Sequence, residues 1–246
     1  MNAEITSEKK RSESIRKKRE KARIDIAQKA TTVFVQKGYL NTTIHDLEEI
    51  TGLKAGSIYN LFADKEDILK EAVMITYSAA FEYSATQVPS ETDPVTSMAF
   101  PVAIELFGAS SNPTFAELLD ESHHFRSIVD AVIKMKTDWV GQFLKNNGIK
   151  IPTQIVEYNM LVFVSAIGGF ISEYRYNPHK YYRRELTTLM EIFCTLFQLT
   201  DITVDRVVDE TIKKLGDGDF NPLMYNIKIT SEELLNESDY QNLDEE

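Results

Sequence analysis

Residues 43–62 read TIHDLEEITGLKAGSIYNLF. Two short apolar patterns lie on either side of a glycine. Ile44, Leu47 and Ile50 share one helical face behind the Thr42-Thr43 cap, and Gly52 ends that pattern after two turns. A second short helix follows, with Ile58, Leu61 and Phe62 directed inward. Its other side is formed by Lys54, Ala55, Gly56, Ser57, Tyr59 and Asn60. Two short helices about a glycine turn suit a reader that projects its second helix into a major groove. Small residues at 55–57 let the backbone approach base edges and phosphates closely. Tyr59 and Asn60 supply donors for phosphates or bases.

Upstream, Ile24, Ala27, Ala30, Thr31 and Phe34 recur at three and four, and Gly38 stops that helix as a left-handed C′ residue. Downstream, Asp64 caps a longer helix carrying Ile68, Leu69, Ala72, Val73 and Thr76, expected to run to about Thr86. Residues 1–20 have almost no apolar content and are expected to be a disordered arm.

The charge distribution agrees with a reader at this end. The chain carries a net −11, which by itself opposes binding to phosphates. Residues 1–70, however, hold 14 Lys/Arg against 11 Asp/Glu, while the other 176 residues hold 13 against 27. Lys9 to Arg23 alone contains nine basic and two acidic residues. An acidic body with a basic front presents only one surface to DNA.

The stretch from Arg23 to Ala72, including FVQKGYLNTTIHDLEEITGLKAGSIYNLFADKEDILKEA, resembles the DNA-binding head of TetR-type regulators. The resemblance rests on the aromatic-x-x-x-Gly-Tyr before a Thr-Thr cap, the Gly52 turn, and the string GSIYNLFADKEDIL. It implies a three-helix head, a fourth helix leading to a larger helical body, a homodimer, and a body pocket for a small hydrophobic or amphipathic effector. It also implies that Thr43 caps the first reader helix and touches a phosphate, that Lys54 to Asn60 face the groove, and that Tyr59 contacts the DNA backbone. Lys65, at the start of the fourth helix, is implied to meet a phosphate.

Past the turn-rich joint at Pro89 to Pro94, only helical patterns follow, punctuated by Asn112-Pro113, Asn147-Gly148, Pro152 and Asn177-Pro178. They are expected at about 95–109, 114–122, 125–146, 153–176, 179–199 and 203–215. The fold class is all-α. The division is a basic arm (1–20), a helix-turn-helix head (21–66), a ligand-binding and dimerisation body (67–215) and an acidic tail (216–246). Phe81, Phe100, Phe107, Phe125, Trp139, Phe143 and Phe163 lie on helices that the resemblance places around the pocket, with Arg126, Lys134 or Glu105 available to select a charged ligand if turned inward. Met160 to Ile171 is apolar nearly all round, so one face needs a partner. Phe163, Ile167, Gly168 and Phe170, together with Ile192 of the following helix, are the expected dimer contacts, and Gly168-Gly169 would let two helices approach closely.

Other chemistries find little support. No Gly-rich phosphate loop, nucleophile elbow or H-E-x-x-H motif occurs, so no catalytic residue and no cofactor is expected. His123 and His124 are adjacent and point apart on a helix, so no metal site is expected. Gly216-Asp217-Gly218-Asp219 fails the spacing of a calcium loop and reads as a turn. Cys194 is the sole cysteine and reads as a small buried hydrophobe. No secretory signal is visible, and the longest apolar run is shorter than a membrane span. The expectation is a cytoplasmic protein whose partners are a double-stranded DNA operator, a small-molecule effector and a second copy of itself, with no membrane. The competing reading gives the body and acidic tail a protein partner instead. A cavity of several hundred Å³ would favour the effector; a solid core with an exposed apolar patch would favour the protein partner.

Overall fold

The computed structural model describes residues 2–88, 94–177 and 182–217. These form ten helices and no strand: α1 (Asn2–Lys37), α2 (Ile44–Thr51), α3 (Ala55–Tyr59), α4 (Lys65–Gln87), α5 (Pro94–Ser111), α6 (Pro113–His123), α7 (Arg126–Asn146), α8 (Thr153–Tyr176), α9 (Tyr182–Leu196) and α10 (Val204–Asp217). The expected joint at 89–93, the start of the penultimate helix around His179, and the acidic tail from 218 lie outside the described residues.

The first helix differs from expectation. The arm is not separate from the head but is the start of α1, which runs 36 residues, about 54 Å at the α-helical rise. The reason is local: residues 2–37 contain no Gly or Pro and are rich in Lys, Arg, Glu and Ala, all good helix formers. Lys17 and Glu13 add an i,i+4 pair at 3.5 Å. The apolar face of α1 also sits differently. Ile26, Ala27, Ala30 and Phe34 are buried, whereas Ile24 is exposed.

Gly38 ends α1 with φ +79°, as its sequence position suggested, and a second constraint acts there. A Cβ at 38 would lie 2.5 Å from Glu117 Oε1 of α6, so the head meets the body across a glycine. Gly52 ends α2 with φ +71° and returns its N–H to the Glu48 carbonyl at 2.9 Å.

In the body, Asn112 caps α6 by accepting from the N–H groups of Thr114 and Phe115 at 3.0 and 3.1 Å, with Pro113 at the first helical position. α8 packs on α5, α6, α7 and α9, and α10 closes over α5 and α9. By length and composition α8 could cross a membrane, yet Val156, Met160, Phe163, Ile167 and Ile171 are buried within the body's core. α5 continues through Pro101, which has no N–H to return to the Ser97 carbonyl.

Candidate nucleic-acid interface and effector cavity

The reader is assembled from its caps inward. Thr43 and Asp46 form a reciprocal capping box on α2: the Asp46 N–H donates to the Thr43 hydroxyl oxygen at 3.3 Å, while the Thr43 N–H donates to the Asp46 carboxylate at 2.8 Å. The Thr43 hydroxyl also donates to that carboxylate at 2.7 Å. Lys37 of α1 reaches the same group. These donors, Lys37 foremost, hold the Asp46 carboxyl well below the usual carboxylate range. Glu48 of α2 then caps α3 from the side, accepting the Ala55 N–H at 2.8 Å, and that bond keeps its carboxylate ionised to lower pH than usual. Lys54, the N-cap residue, makes no side-chain cap bond.

α3 has five residues, too few to persist in water alone. It is anchored by Ile58, fully buried, and by Phe62 just beyond it. Opposite this anchor Gly56, Ser57 and Asn60 are exposed, flanked by Lys54 and by Tyr59, which is 48% exposed. Ala55 is half-buried. The exposed surface therefore consists of the residues expected to meet a groove.

What fastens this reader to α4 was not foreseen in the sequence. Arg23, counted there among the arm's charges, turns inward. Its guanidinium donates to the Leu61 carbonyl, to Asp67 at 3.1 and 3.2 Å, and to Glu71 at 2.8 and 3.1 Å. It also lies 4.2 Å from the centre of the Phe62 ring. One arginine thus ties α1, the end of the reader and two turns of α4 together. The available signal was Asp67 and Glu71 at i,i+4 on α4, a matched acidic pair. Arg19 adds a bond to the Asn60 carbonyl at 2.9 Å.

Lys65 also departs from expectation. Its ammonium donates to the carbonyls of Tyr39 and Thr42 at 2.8 and 3.0 Å and sits 4.4 Å from the Tyr39 ring centre. Burial lowers its pKa from the ordinary lysine value. Two of its three N–H donors hold the α1–α2 turn, because the α4 N-terminus enters directly beneath it.

A helix-turn-helix with this spacing of caps, turn and anchor is matched as a unit. Residues 26–72 fit the family model described as bacterial regulatory proteins, tetR family. Its head is a helix-turn-helix DNA-binding domain of the tetR-family type. No curated protein and no solved structure matches it. The match covers the DNA-binding head and the first turns of α4, so the body rests on its own geometry.

Within that body, three of the seven expected pocket aromatics come together. Phe81 of α4, Trp139 of α7 and Phe163 of α8 border one cavity, with Met98, Met160 and Met190 between them. The Phe81 and Trp139 rings lie 4.8 Å apart with their planes inclined by 52°. The remaining four lie elsewhere. Phe100 packs near Tyr83 at 6.2 Å, Phe107 meets Tyr182 edge-on at 5.5 Å, Phe125 meets Tyr39 of the head at 5.7 Å, and Phe143 is buried away from the cavity. The void between the walls is only about 20 Å³, room for one water molecule; by the size criterion set above, so closed a core favours the protein-partner reading, and an effector has to displace side chains to enter. Long flexible methionines and a tilted ring pair fill the space.

Of the three charged candidates only Glu105 turns inward, and the charged group on the wall itself is its partner Lys136. Arg126 pairs with Asp130 in solvent at 2.8 Å, and Lys134 is exposed. Lys136 is the buried cation, donating to Glu105 at 2.9 Å, while the Tyr77 hydroxyl donates to the other Glu105 oxygen. Val132, Lys136, Val140 and Phe143 share the buried side of α7, and that three-and-four spacing was the readable signal.

The dimer contacts expected from the apolar run need correction. Phe163 and Ile167 are buried in their own protomer, and a Cβ on Gly168 would meet the His123 ring at 2.7 Å. Gly168 therefore makes room for α6, not for a second chain. Phe170 and Ile192 are half-buried against the core. The open side of α8 is formed by Ile155, Tyr158, Val162, Ser165 and Gly169, of which only Gly169 belonged to the expected seam; nothing lies within 4 Å of a Cβ there. His123 and His124 each bond a carbonyl one turn back, at 2.8 Å, and no metal-binding cluster occurs among the described residues.

Proposed function

We propose that this regulator acts in the cytoplasm as a homodimeric repressor, holding two readers on a double-stranded DNA operator and leaving it when a small hydrophobic or amphipathic effector enters the body. One observation carries the reading. The helix whose first turns clamp the reader through Arg23 ends by forming the cavity wall with Phe81. α4 is unbroken across both, running 23 residues from Lys65 to Gln87. Contacts at the head end brace it against the body: Glu66 accepts from Ser127 of α7, and Tyr39 rests on Phe125. An effector that parts α4 from α7 at Phe81 and Trp139 therefore tilts the reader. Such a ligand shifts the operator equilibrium by its different affinity for the two head positions, and a coupling of about 1–3 kcal/mol changes operator affinity about 5- to 150-fold.

Support for the dimer comes from the open side of α8. Ile155, Tyr158, Val162, Ser165 and Gly169 recur at three, four, three and four, the spacing of a helix seam that meets its own copy. Footprinting should show two protected patches spaced about 34–36 Å apart, or a multiple. Gly169→Glu should give monomers by sedimentation and lose about 10²–10⁴ in operator affinity as the second reader is lost. A dimer that survives this change removes α8 from the seam.

A further inference from the structure

Lys136 is the only charged side chain among the described residues bordering the cavity; the rest of the wall is Phe, Trp, Met, Val and Pro. Its ammonium, with Glu105 and Tyr77, is buried to within 6% exposure. One N–H donates to Glu105 at 2.9 Å, and the Tyr77 ring centre lies 4.9 Å away. Glu105 is engaged at both oxygens, by Lys136 and by the Tyr77 hydroxyl. An ammonium has three donors, and Glu105 stands behind Lys136 and not on the wall, so the charged group that the cavity meets is a donor.

The charge balance narrows what that donor can take. Lys136 and Glu105 neutralise one another. A ligand anion would add a second buried negative charge beside Glu105, and a ligand cation would face the ammonium; both are costly in an apolar cavity. A neutral carbonyl accepts the free N–H without disturbing the pair. On the reading of this cavity as the effector site, we propose that the effector is an uncharged amphipathic molecule with a carbonyl acceptor, held by Lys136 while its apolar part displaces the methionine side chains. Met98, Met160 and Met190 stand on three different helices and change rotamer easily. α5 itself lacks one helical bond at Pro101, which lies on the same wall.

The protein carries its own reporter, because Trp139 is its single tryptophan and borders the cavity. Titration of the full chain with 2-octanone, octanoate and octyltrimethylammonium, followed by Trp139 fluorescence, compares three head groups on one chain length. The ketone should bind at least tenfold more tightly than either ion. In the double variant Lys136→Met/Glu105→Gln, which avoids stranding a buried carboxylate, ketone affinity should fall about tenfold, the loss expected for one hydrogen bond. Tightest binding by octanoate or by the ammonium probe overturns the proposal, and so does ketone binding unchanged in the double variant. The ranking in the wild-type chain is decisive even if that variant does not fold. If none of the three probes alters the emission, the failure lies with the cavity as an effector site and not only with its chemistry.

Discussion

At its start α4 is fastened by groups of fixed geometry: a guanidinium shared by two carboxylates and a carbonyl, an ammonium between two carbonyls, and the Asp64 cap. Four turns later the same helix lies among methionines, a tilted ring pair and a void of about 20 Å³. Hydrogen bonds of this kind weaken steeply when bent, whereas apolar side chains slide at low cost. The contrast makes one end of the helix move with the reader as a unit and lets the other end yield. On the proposed reading, a disturbance at Phe81 would be delivered to the head as rotation and not absorbed within it.

The largest effect is expected from breaking the stiff end. Arg23→Gln should destabilise the head by about 2 kcal/mol at neutral pH, within the range for hydrogen bonds to charged groups and below its top because Arg23 is more than a quarter exposed. The deficit should depend on pH with a definite sign. The bond from Arg23, ahead of all other causes, lowers the pKa of Asp67, so this contribution is complete above the ordinary carboxylate pKa of about 4 and is lost as pH falls through the depressed value. Thermal melts of the two proteins should converge in acid. A gap that persists there would mean that Arg23 acts through packing on Phe62.

A smaller effect should come from Lys65→Ala. Loosening the α1–α2 turn should lower operator affinity about tenfold, with 2-octanone affinity in the free protein unchanged. The dependence on salt sharpens the comparison. Removing a lysine that neutralises a phosphate would reduce the slope of log affinity against log salt by about 0.9; a residue engaged with the Tyr39 and Thr42 carbonyls should leave the slope as it was. Gentlest of the three is Phe81→Ala at the soft end. Operator affinity without effector should stay within about twofold, while 2-octanone affinity changes about tenfold and release is impaired. Normal binding and normal release in that variant would remove this end of α4 as the sensor.

What could be read in advance follows the same division. The head was legible because its signals are local: Thr43 precedes a helix, Gly52 must turn left-handed, and Ile58 must be buried, each within a few residues of its cause. The all-α body was legible through Asn112-Pro113 and Pro152 for the same reason. The faces of its helices were not. Phe163 and Gly168 lie in an apolar run whose two sides look alike in sequence, and only the presence of α6 and His123 shows which side is covered. Arg23 was hidden in a basic run that suggested one purpose for every charge. The arm was misjudged because low apolar content argues against a core, yet it says little against a single long helix made of good helix formers.

The shortness of α3 has a consequence for how this protein can change over generations. Its folding rests on Ile58, on Phe62 beyond it, and on Glu48 behind it, while Gly56, Ser57, Tyr59 and Asn60 stand in solvent. Surface substitutions of that kind usually alter stability by less than about 0.5 kcal/mol. The residues expected to face the groove can therefore be rewritten while the scaffold that displays them is left alone, so a duplicated copy could acquire a new target site without first having to survive a damaged fold.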